Sequence, residues 1–223
     1  MLLQRTLRLV LVPLARAAFR LRVEGRENVP LRGPVILAAN HLSFIDSFII
    51  PLASPRSVSY LAKAEYFEQP GAKGWLVHKY MTAADAIPVP RGANRAAQLS
   101  LDLALGVLAK GGAFGIHPEG SRSRDGRLYR GRTGIGYLAM TSGAPVIPVA
   151  IIGTDTVQPV GARFPRLGRV TVRFGAPMRF PAVAANAAQA RRAATDEIMA
   201  AIQQLSGQQT APGYNELSVG VQV

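Results

Sequence analysis

Cysteine is absent from this chain of 223 residues, and acidic residues, aromatic residues and histidine are all scarce. Without cysteine there are no disulfides and no thiolate ligands for a metal, which excludes disulfide-rich scaffolds and cysteine-ligated zinc sites. The three histidines are scattered along the sequence, so a histidine zinc site is not expected either. Arginines interrupt the apolar N-terminal stretch, so no segment is predicted to cross a membrane as a helix.

The charge balance is strongly basic. The chain has 26 Lys and Arg residues against 13 Asp and Glu, a net charge of +13 and a pI near 11.1. Such a field attracts nucleic acid, anionic membranes or phosphorylated substrates. Aromatic residues make up only 7% of the chain and do not cluster with the arginines, and no zinc-finger or RNA-binding signature occurs. We therefore expect no nucleic-acid partner, and favour a membrane surface or a phosphate group.

The first 22 residues have the pattern of an amphipathic helix. Arg5, Arg16 and Arg20 fall on one side of that helix. The other side is an apolar stripe, which consists of Leu3, Leu7, Val10, Leu11, Leu14, Ala18 and Leu21. This pattern is typical of a helix that lies in a membrane interface with its arginines among anionic headgroups. The alternative is an amphipathic helix packed on the domain, with a break at Pro13.

Apolar strand-like runs alternate with helix-like periodicities along the rest of the chain, which is typical of βαβ units. We predict an α/β fold with a largely parallel mixed sheet flanked by helices, preceded by the N-terminal amphipathic membrane-interface helix. The predicted boundaries are 1–24 for that helix, 25–206 for the catalytic-type domain and 207–223 for a loosely ordered tail rich in Gln, Gly and Ser.

A polar cluster follows the first predicted strand. Residues 34–39 are apolar, and Asn40, His41, Ser43 and Asp46 emerge where that run ends. Open α/β sheets hold their chemistry at the carboxyl ends of strands. A histidine readily takes a proton near neutral pH, and a nearby carboxylate fixes its tautomer and stabilises the imidazolium. The alternative is a helix N-terminus capped by Asn40 or Ser43, with His41 incidental.

A second polar turn follows the predicted strand at residues 113–116. It reads Pro118-Glu119-Gly120-Ser121-Arg122-Ser123. Glycine permits a tight turn and a close approach of the backbone to a ligand, while the hydroxyls and the planar arginine fork suit phosphate oxygens. Arg91, in a proline-containing segment, offers a second cation. Taken alone, this run is equally well explained as a solvated surface turn.

Together, the two motifs resemble those of the glycerolipid acyltransferase family, which includes the 1-acyl-glycerol-3-phosphate acyltransferases. The resemblance is carried by Asn40-His41 with Asp46 and by the run from Pro118 to Ser123. Residues 87–92 resemble the family's second block, which ends in arginine, and residues 146–149 resemble its fourth, an apolar strand that contains a proline.

The resemblance implies transfer of a fatty acyl group from acyl-CoA or an acyl carrier protein to the free hydroxyl of 1-acyl-glycerol-3-phosphate. This reaction of phospholipid biosynthesis needs no metal and no cofactor beyond the thioester co-substrate. His41 would be the general base, and Asp46 would orient and support it without taking the proton. The alternatives are another lysophospholipid or glycolipid acceptor, or a catalytically silent lipid-binding protein on the same fold.

The resemblance also implies roles for the remaining residues. Glu119, Gly120, Ser121 and Arg122 would bind the acceptor, with Arg91 joining Arg122 on its phosphate. Pro148 would form the floor of the acyl pocket. The expected location is peripheral or monotopic, on the cytoplasmic face of the plasma membrane.

Three positions depart from the family's pattern. His117 stands where an apolar or aromatic residue is usual, and a packed histidine is favoured over a second polar group in the site. Ser121 replaces a commoner threonine and keeps the hydroxyl. Pro88 and Pro90 occupy the second block where aromatic residues are frequent.

Overall fold

The structure is a computed structural model of the chain, and it describes residues 13–14, 16–83, 85–89, 93–162, 164–182 and 188–215. Its strands are β1 (Arg22–Glu24), β2 (Val35–Ala39), β3 (Tyr60–Lys63), β4 (Ala86–Val89), β5 (Ala113–Ile116), β6 (Val146–Ile152) and β7 (Thr171–Phe174). Its helices are α1 (Asp46–Ala53), α2 (Gly71–Ala83), α3 (Ala93–Ala109), α4 (Gly134–Ser142), α5 (Thr154–Val157) and α6 (Ala188–Ser206). Two short 3-10 helices cover Arg26–Asn28 and Ala64–Tyr66.

The main sheet has five strands in the order β1, β7, β6, β2, β5. All neighbours are parallel except β6 and β7, which run antiparallel. β3 and β4 form a separate parallel pair, and Ser59 links the start of β3 to Phe114 of β5. The predicted α/β fold with a largely parallel mixed sheet is confirmed.

Both faces of the central strands are buried, which is why β2 and β6 are continuously apolar instead of alternating. Val35, Leu37 and Ala39 of β2 face one cluster, which includes the apolar side of α1. Ile36 and Ala38 face the other, which is built from α3, α4 and α6. The sheet is therefore a middle layer, with α1 packed on the side where the first polar motif lies.

The strand directions bring several loops to one edge of the sheet. β2, β5 and β6 are parallel, so their carboxyl ends lie at the same edge. Ile152, the last residue of β6, pairs with Thr171, the first of β7, and Thr171 pairs with Arg22, the first of β1. The segments before β1 and before β7 therefore also lie at this edge, which we call the carboxyl edge.

The boundary predicted at residue 24 differs from the structure. Residues 1–12 of the predicted interface helix lie outside the described residues, and residues 16–18 are helical. Arg22–Glu24, however, form β1 instead of a last helical turn. Val23 packs against the core, and the Glu24 carboxylate accepts a 2.8 Å hydrogen bond from Arg173 Nε of β7.

The predicted loose tail also differs over residues 207–215, a segment we call the C-terminal strap. Its backbone pairs with the loop after the second polar motif: Leu128 N donates to Gln209 O at 2.8 Å, and Ala211 N donates to Leu128 O at 2.9 Å. Arg130 N donates to Gly213 O at 2.9 Å. Main-chain pairing of this kind does not require apolar side chains, so the polar composition did not reveal it. Residues 216–223 lie outside the described part of the chain.

Within the described residues, no helix has the length and apolar character needed to cross a membrane.

Candidate active site

The two polar motifs meet at the carboxyl edge. His41 follows β2, and the turn beginning at His117 follows β5, its parallel neighbour. Ser123 N donates to His41 O at 2.7 Å, and His41 N donates to Glu119 Oε1 at 2.9 Å. The two motifs are therefore joined directly, by one backbone–backbone hydrogen bond and by one to the Glu119 side chain.

His41 and Asp46 form a hydrogen-bonded pair. The His41 Nδ1 to Asp46 Oδ2 distance is 3.0 Å, and the side chains are 17% and 0% exposed. Because a carboxylate only accepts, Nδ1 carries the proton in neutral His41 and Nε2 keeps its lone pair. Nε2 has no partner among the described residues, so this arrangement leaves a base available for an incoming hydroxyl.

The hydrogen bonds to the Asp46 carboxylate converge on one of its oxygens, Oδ2. Oδ2 also accepts from the backbone N–H groups of Leu42, at 2.6 Å, and Ser43, at 2.7 Å. Oδ1 is buried without a partner among the described residues. Burial alone raises the pKa of Asp46, but the hydrogen bond from His41, the nearby histidines and the Ser43 N–H together hold that pKa below its ordinary value. Asp46 is therefore an anion aimed at His41.

His117 stacks on His41. The ring centroids are 3.9 Å apart and the rings are 9° from parallel. His117 Nδ1 lies 3.2 Å from Ala39 O and 3.1 Å from Asn40 O, so it carries a proton, while Nε2 accepts from Ser47 Oγ at 3.3 Å. Burial, followed by the proximity of His41, lowers the pKa of His117 to about 3. The interpretation as a packed histidine fits this neutral ring, whose face lies directly against His41.

Glu119, the one carboxylate in the sequence of the second motif, is 0% exposed. Its two oxygens accept from the N–H groups of His41, at 2.9 Å, and Tyr129, also at 2.9 Å. Burial raises its pKa to about 7 against the lowering effect of those two N–H groups. The resemblance implied that Glu119 binds the acceptor. In the structure it lies beneath the surface and joins the two loops.

Asn40 and Ser43, which the sequence offered as capping residues, instead tie the first motif to β6 and beyond. Asn40 Nδ2 donates to Ile151 O at 2.9 Å, and Ile151 N donates to Asn40 Oδ1 at 2.7 Å. Ser43 Oγ donates to Gln158 O at 2.9 Å. No side chain caps α1, whose first turn instead contains Asp46. Both residues therefore fix the loop that carries His41.

Gly120 and Arg122, in the turn after Glu119, are exposed, and the C-terminal strap hydrogen-bonds to the turn. Gly120 has φ +79° and donates its N–H to His117 O at 3.0 Å, a left-handed conformation that glycine adopts without strain. Asn215 Nδ2 donates to Arg122 O at 3.0 Å and to Ser121 O at 3.4 Å. The Arg122 side chain is exposed and makes no ion pair with a described residue. The turn is thus held by its carbonyls, and its cation remains in solvent.

The strap supplies two residues that sequence reasoning missed. Gln208 Oε1 accepts from Asn40 Nδ2 at 2.8 Å, and Gln208 Nε2 donates to Gly126 O at 2.7 Å. Together with Asn215, it connects the strap to both polar motifs. No short-range pattern marks either residue, because their partners are distant in sequence.

Two residues of the predicted site stay predictions. Arg91 lies outside the described residues. Pro148 is buried in the middle of β6, in register with Ala38, and its ring lies beside Gly175 and Leu205, on the face opposite α1. Two cavities of about 360 and 210 Å³ open on the described surface, and neither is lined by Pro148 or His41. The acyl pocket at Pro148 stays a prediction.

The described residues contain no group of three or more His, Asp or Glu side chains arranged to hold a metal ion.

Comparison with known proteins gives consistent results. A chloroplastic 1-acyl-sn-glycerol-3-phosphate acyltransferase of Arabidopsis thaliana is 30% identical over 145 residues, which is 65% of this chain and 39% of the relative. An enzyme of the same name from Limnanthes douglasii is 31% identical over 159 residues, 71% of this chain and 54% of the relative. One from Borreliella burgdorferi is 30% identical over 141 residues, 62% of this chain and 54% of the relative. The chain therefore spans about four-tenths to about half the length of these curated relatives.

Among solved structures, the fold resembles that of the 1-acyl-sn-glycerophosphate acyltransferase PlsC from Thermotoga maritima. The TM-score is 0.67 at 24% identity, over 92% of this chain and 82% of that one. A family model described as Acyltransferase matches residues 20–152, which is more than half of the chain and contains both polar motifs. The chain therefore belongs to the Acyltransferase family.

Proposed function

We propose that the chain transfers a fatty acyl group from a thioester, acyl-CoA or an acyl carrier protein, to the free hydroxyl of 1-acyl-glycerol-3-phosphate at a membrane surface, as a step of phospholipid biosynthesis. The observation that carries the proposal is the contact of 3.0 Å between His41 Nδ1 and the buried carboxylate of Asp46. The names of the curated relatives support the choice of acceptor.

In the proposed mechanism, His41 Nε2 removes the proton from the acceptor hydroxyl as its oxygen attacks the thioester carbonyl carbon. The new C–O bond forms, the C–S bond breaks, and the proton passes from His41 to the departing thiolate. Asp46 keeps the ring in the Nδ1–H tautomer and stabilises the transient imidazolium without taking its proton. No acyl-enzyme intermediate is needed, because the thioester is already activated and the chain has no cysteine.

The protein's charge supports action at a membrane. A net charge of +13 favours the anionic cytoplasmic leaflet, and the predicted interface helix would add apolar contacts. We place the protein peripherally or monotopically at the cytoplasmic face of the plasma membrane.

The direct test is an assay of the full chain with labelled acyl-CoA and detergent-dispersed 1-acyl-glycerol-3-phosphate, with phosphatidic acid as the expected product. A panel of other lysophospholipids and glycolipids, each with acyl-CoA or acyl carrier protein, identifies the preferred pair. If product formed only from another acceptor, that acceptor would replace 1-acyl-glycerol-3-phosphate in the proposal. Lipid binding with no transfer to any acceptor would identify a silent binding protein.

Replacing Arg122 with alanine is expected to raise the KM for the acceptor by about ten- to a hundredfold, the loss of one charge-assisted contact. The value of kcat should change little, since the phosphate is bound equally in the ground and transition states. Arg124→Ala, which removes an exposed arginine from the same loop, is the matched control. A fall in kcat at unchanged KM would contradict phosphate binding by Arg122.

Removing the ring of His117 is expected to lower kcat about three- to tenfold, because a stacked ring contributes on this scale to holding its neighbour. His117→Ala should show this loss with little change in KM, whereas His117→Phe keeps a flat face against His41 and should recover most of it. Steady-state kinetics and thermal unfolding of both variants are the measurements. Equal losses in both variants would attribute the effect to the hydrogen bonds with Ala39 and Asn40 instead of the stack.

A further inference from the structure

One loop holds three large apolar side chains out in solvent. Val160 is 55% exposed, Phe164 is 74% exposed and Leu167 is 82% exposed. Single exposed apolar residues are common on protein surfaces, but a concentration of them in one loop marks an interaction surface. We call residues 158–162 and 164–169 the apolar loop.

The apolar loop lies at the carboxyl edge, where His41 also lies. It leaves β6 through α5 and leads into β7, and its base is joined to the first motif by the 2.9 Å hydrogen bond from Ser43 Oγ to Gln158 O. At its other end, Gly168 N donates to Ala18 O at 3.4 Å and Val170 N donates to Phe19 O at 2.9 Å. It therefore adjoins both the active-site motif and the C-terminal part of the predicted interface helix, at Ala18 and Phe19.

Hydrogen bonds within the loop and to the end of α5 organise its backbone. Ala162 N donates to Pro159 O at 3.0 Å, and Arg166 N donates to Val157 O at 2.8 Å. The exposed side chains thus project from a defined turn.

The charge of the loop indicates what it contacts. Between residues 158 and 169 the sequence has three arginines, at 163, 166 and 169, and no acidic residue. Two of these arginines directly precede an exposed apolar residue in the sequence, Arg163 before Phe164 and Arg166 before Leu167. Apolar side chains interspersed with arginines suit the boundary between acyl chains and anionic headgroups.

We propose that the apolar loop is a second membrane-binding element, which inserts Val160, Phe164 and Leu167 into an anionic phospholipid bilayer. Inserted in this way, it turns the carboxyl edge, and with it His41, towards the lipid that carries the acceptor hydroxyl. The inference rests on the proposed function in taking that acceptor from the membrane, but lipid binding tests it without turnover.

The first experiment compares sedimentation of the full chain with vesicles of phosphatidylglycerol and phosphatidylcholine. Phe164→Ser together with Leu167→Ser is expected to weaken binding at least about tenfold, since two large apolar groups no longer leave water. Leu31→Ser is the matched control: Leu31 is 70% exposed but precedes β2, at the opposite edge of the sheet, so its loss should leave binding unchanged. Unchanged binding of the double variant, or no binding by the parent chain, would overturn the proposal.

A second experiment locates the inserted residue by fluorescence. The chain's one tryptophan is first removed as Trp75→Phe, and Phe164→Trp is then introduced. On anionic vesicles, its emission should shift to the blue and be quenched by brominated acyl chains, whereas Leu31→Trp in the same background should show neither effect. Emission that stays unchanged while the protein sediments would overturn insertion by this loop.

Two further readouts separate this proposal from others. Arg166→Gln with Arg169→Gln should weaken binding to anionic vesicles and leave binding to neutral ones unaltered. If the Phe164 and Leu167 double variant lost only binding to an acidic acyl carrier protein, the loop would belong to a protein partner and the proposal would fail. If the parent chain showed no acyl transfer in detergent, the proposed function would be contradicted, but the result on vesicle binding would still hold.

Discussion

His41→Ala is expected to lower kcat by about two to four orders of magnitude, the usual contribution of a general base. The structure leaves Nε2 of this histidine available and fixes its tautomer through Asp46, and within the described site no other group is placed to take its role. His78→Ala is the matched control, because His78 is exposed on α2 and its ring hydrogen-bonds only Phe67 O among the described residues. Turnover at the parental rate in His41→Ala would overturn the mechanism.

Asp46→Asn removes the charge of the pair with little change of shape. The three N–H groups around Oδ2 require an acceptor there, whereas Oδ1 has no partner among the described residues. The asparagine oxygen should therefore take the Oδ2 position, which keeps His41 in its tautomer. We expect kcat to fall about a hundredfold, at the lower end of the range for general-base catalysis, because the imidazolium loses its counter-charge.

The double variant His41→Ala with Asp46→Asn should be no slower than His41→Ala alone, since the two residues act as one unit. If the loss of kcat in the double variant equalled the product of the two single losses, Asp46 would also act independently of His41. Single-turnover kinetics and circular dichroism on the same samples separate lost chemistry from lost folding.

Glu119→Ala is expected to have the largest effect on stability. It removes the acceptor of the part-buried N–H groups of His41 and Tyr129, at about 1–3 kcal/mol each, and so lowers the free energy of unfolding by about 2–6 kcal/mol. Activity should fall as well, because the His41 backbone loses its anchor. Denaturant titration measures the first effect. A change below about 1 kcal/mol would contradict the bracing role of Glu119.

The same carboxyl group makes stability depend on pH. Burial raises the pKa of Glu119 from 4.5 to about 7, so the folded state binds its proton more tightly than the unfolded state does. This contribution is complete below pH 4.5 and is lost as the pH rises through 7, a difference of about 3 kcal/mol. Glu119→Gln has no such proton. The stability difference between parent and variant should therefore shift towards the variant between pH 5 and pH 8, and a constant difference would count against the raised pKa.

The sequence could indicate the proposed base and its carboxylate because the two residues are close in sequence. His41 and Asp46 both lie between the end of β2 and the first turn of α1, and the second motif follows a neighbouring strand. The parallel sheet was therefore enough to bring the two motifs together. The roles of the surrounding residues could not be predicted in the same way. Asn40 and Ser43 are residue types typical of helix N-caps. Only the folded position of β6 and the segment after it shows that they bind Ile151 and Gln158.

Two other differences have physical causes of the same kind. β1 has only three residues. Leu21 and Val23 continue the apolar pattern of the helix predicted before it, so the change from helix to strand is not visible in the periodicity of the sequence. For Glu119, the sequence showed a carboxylate in a polar turn, but its burial depends on the N–H groups of two separate loops.

The C-terminal strap has a consequence for the order in which the molecule forms. The contact between Asn40 and Gln208 spans 168 residues, and that between Ser121 and Asn215 spans 94. Contacts so distant along the chain close large loops and form slowly compared with the local pairing of helices and neighbouring strands. During synthesis, the His41 and Asp46 pair can assemble as soon as the central strands are made, but the turn with Arg122 gains its support only after the strap has left the ribosome. A nascent chain that still lacks the strap would thus hold the pair of His41 and Asp46 in place before the turn with Arg122 is supported.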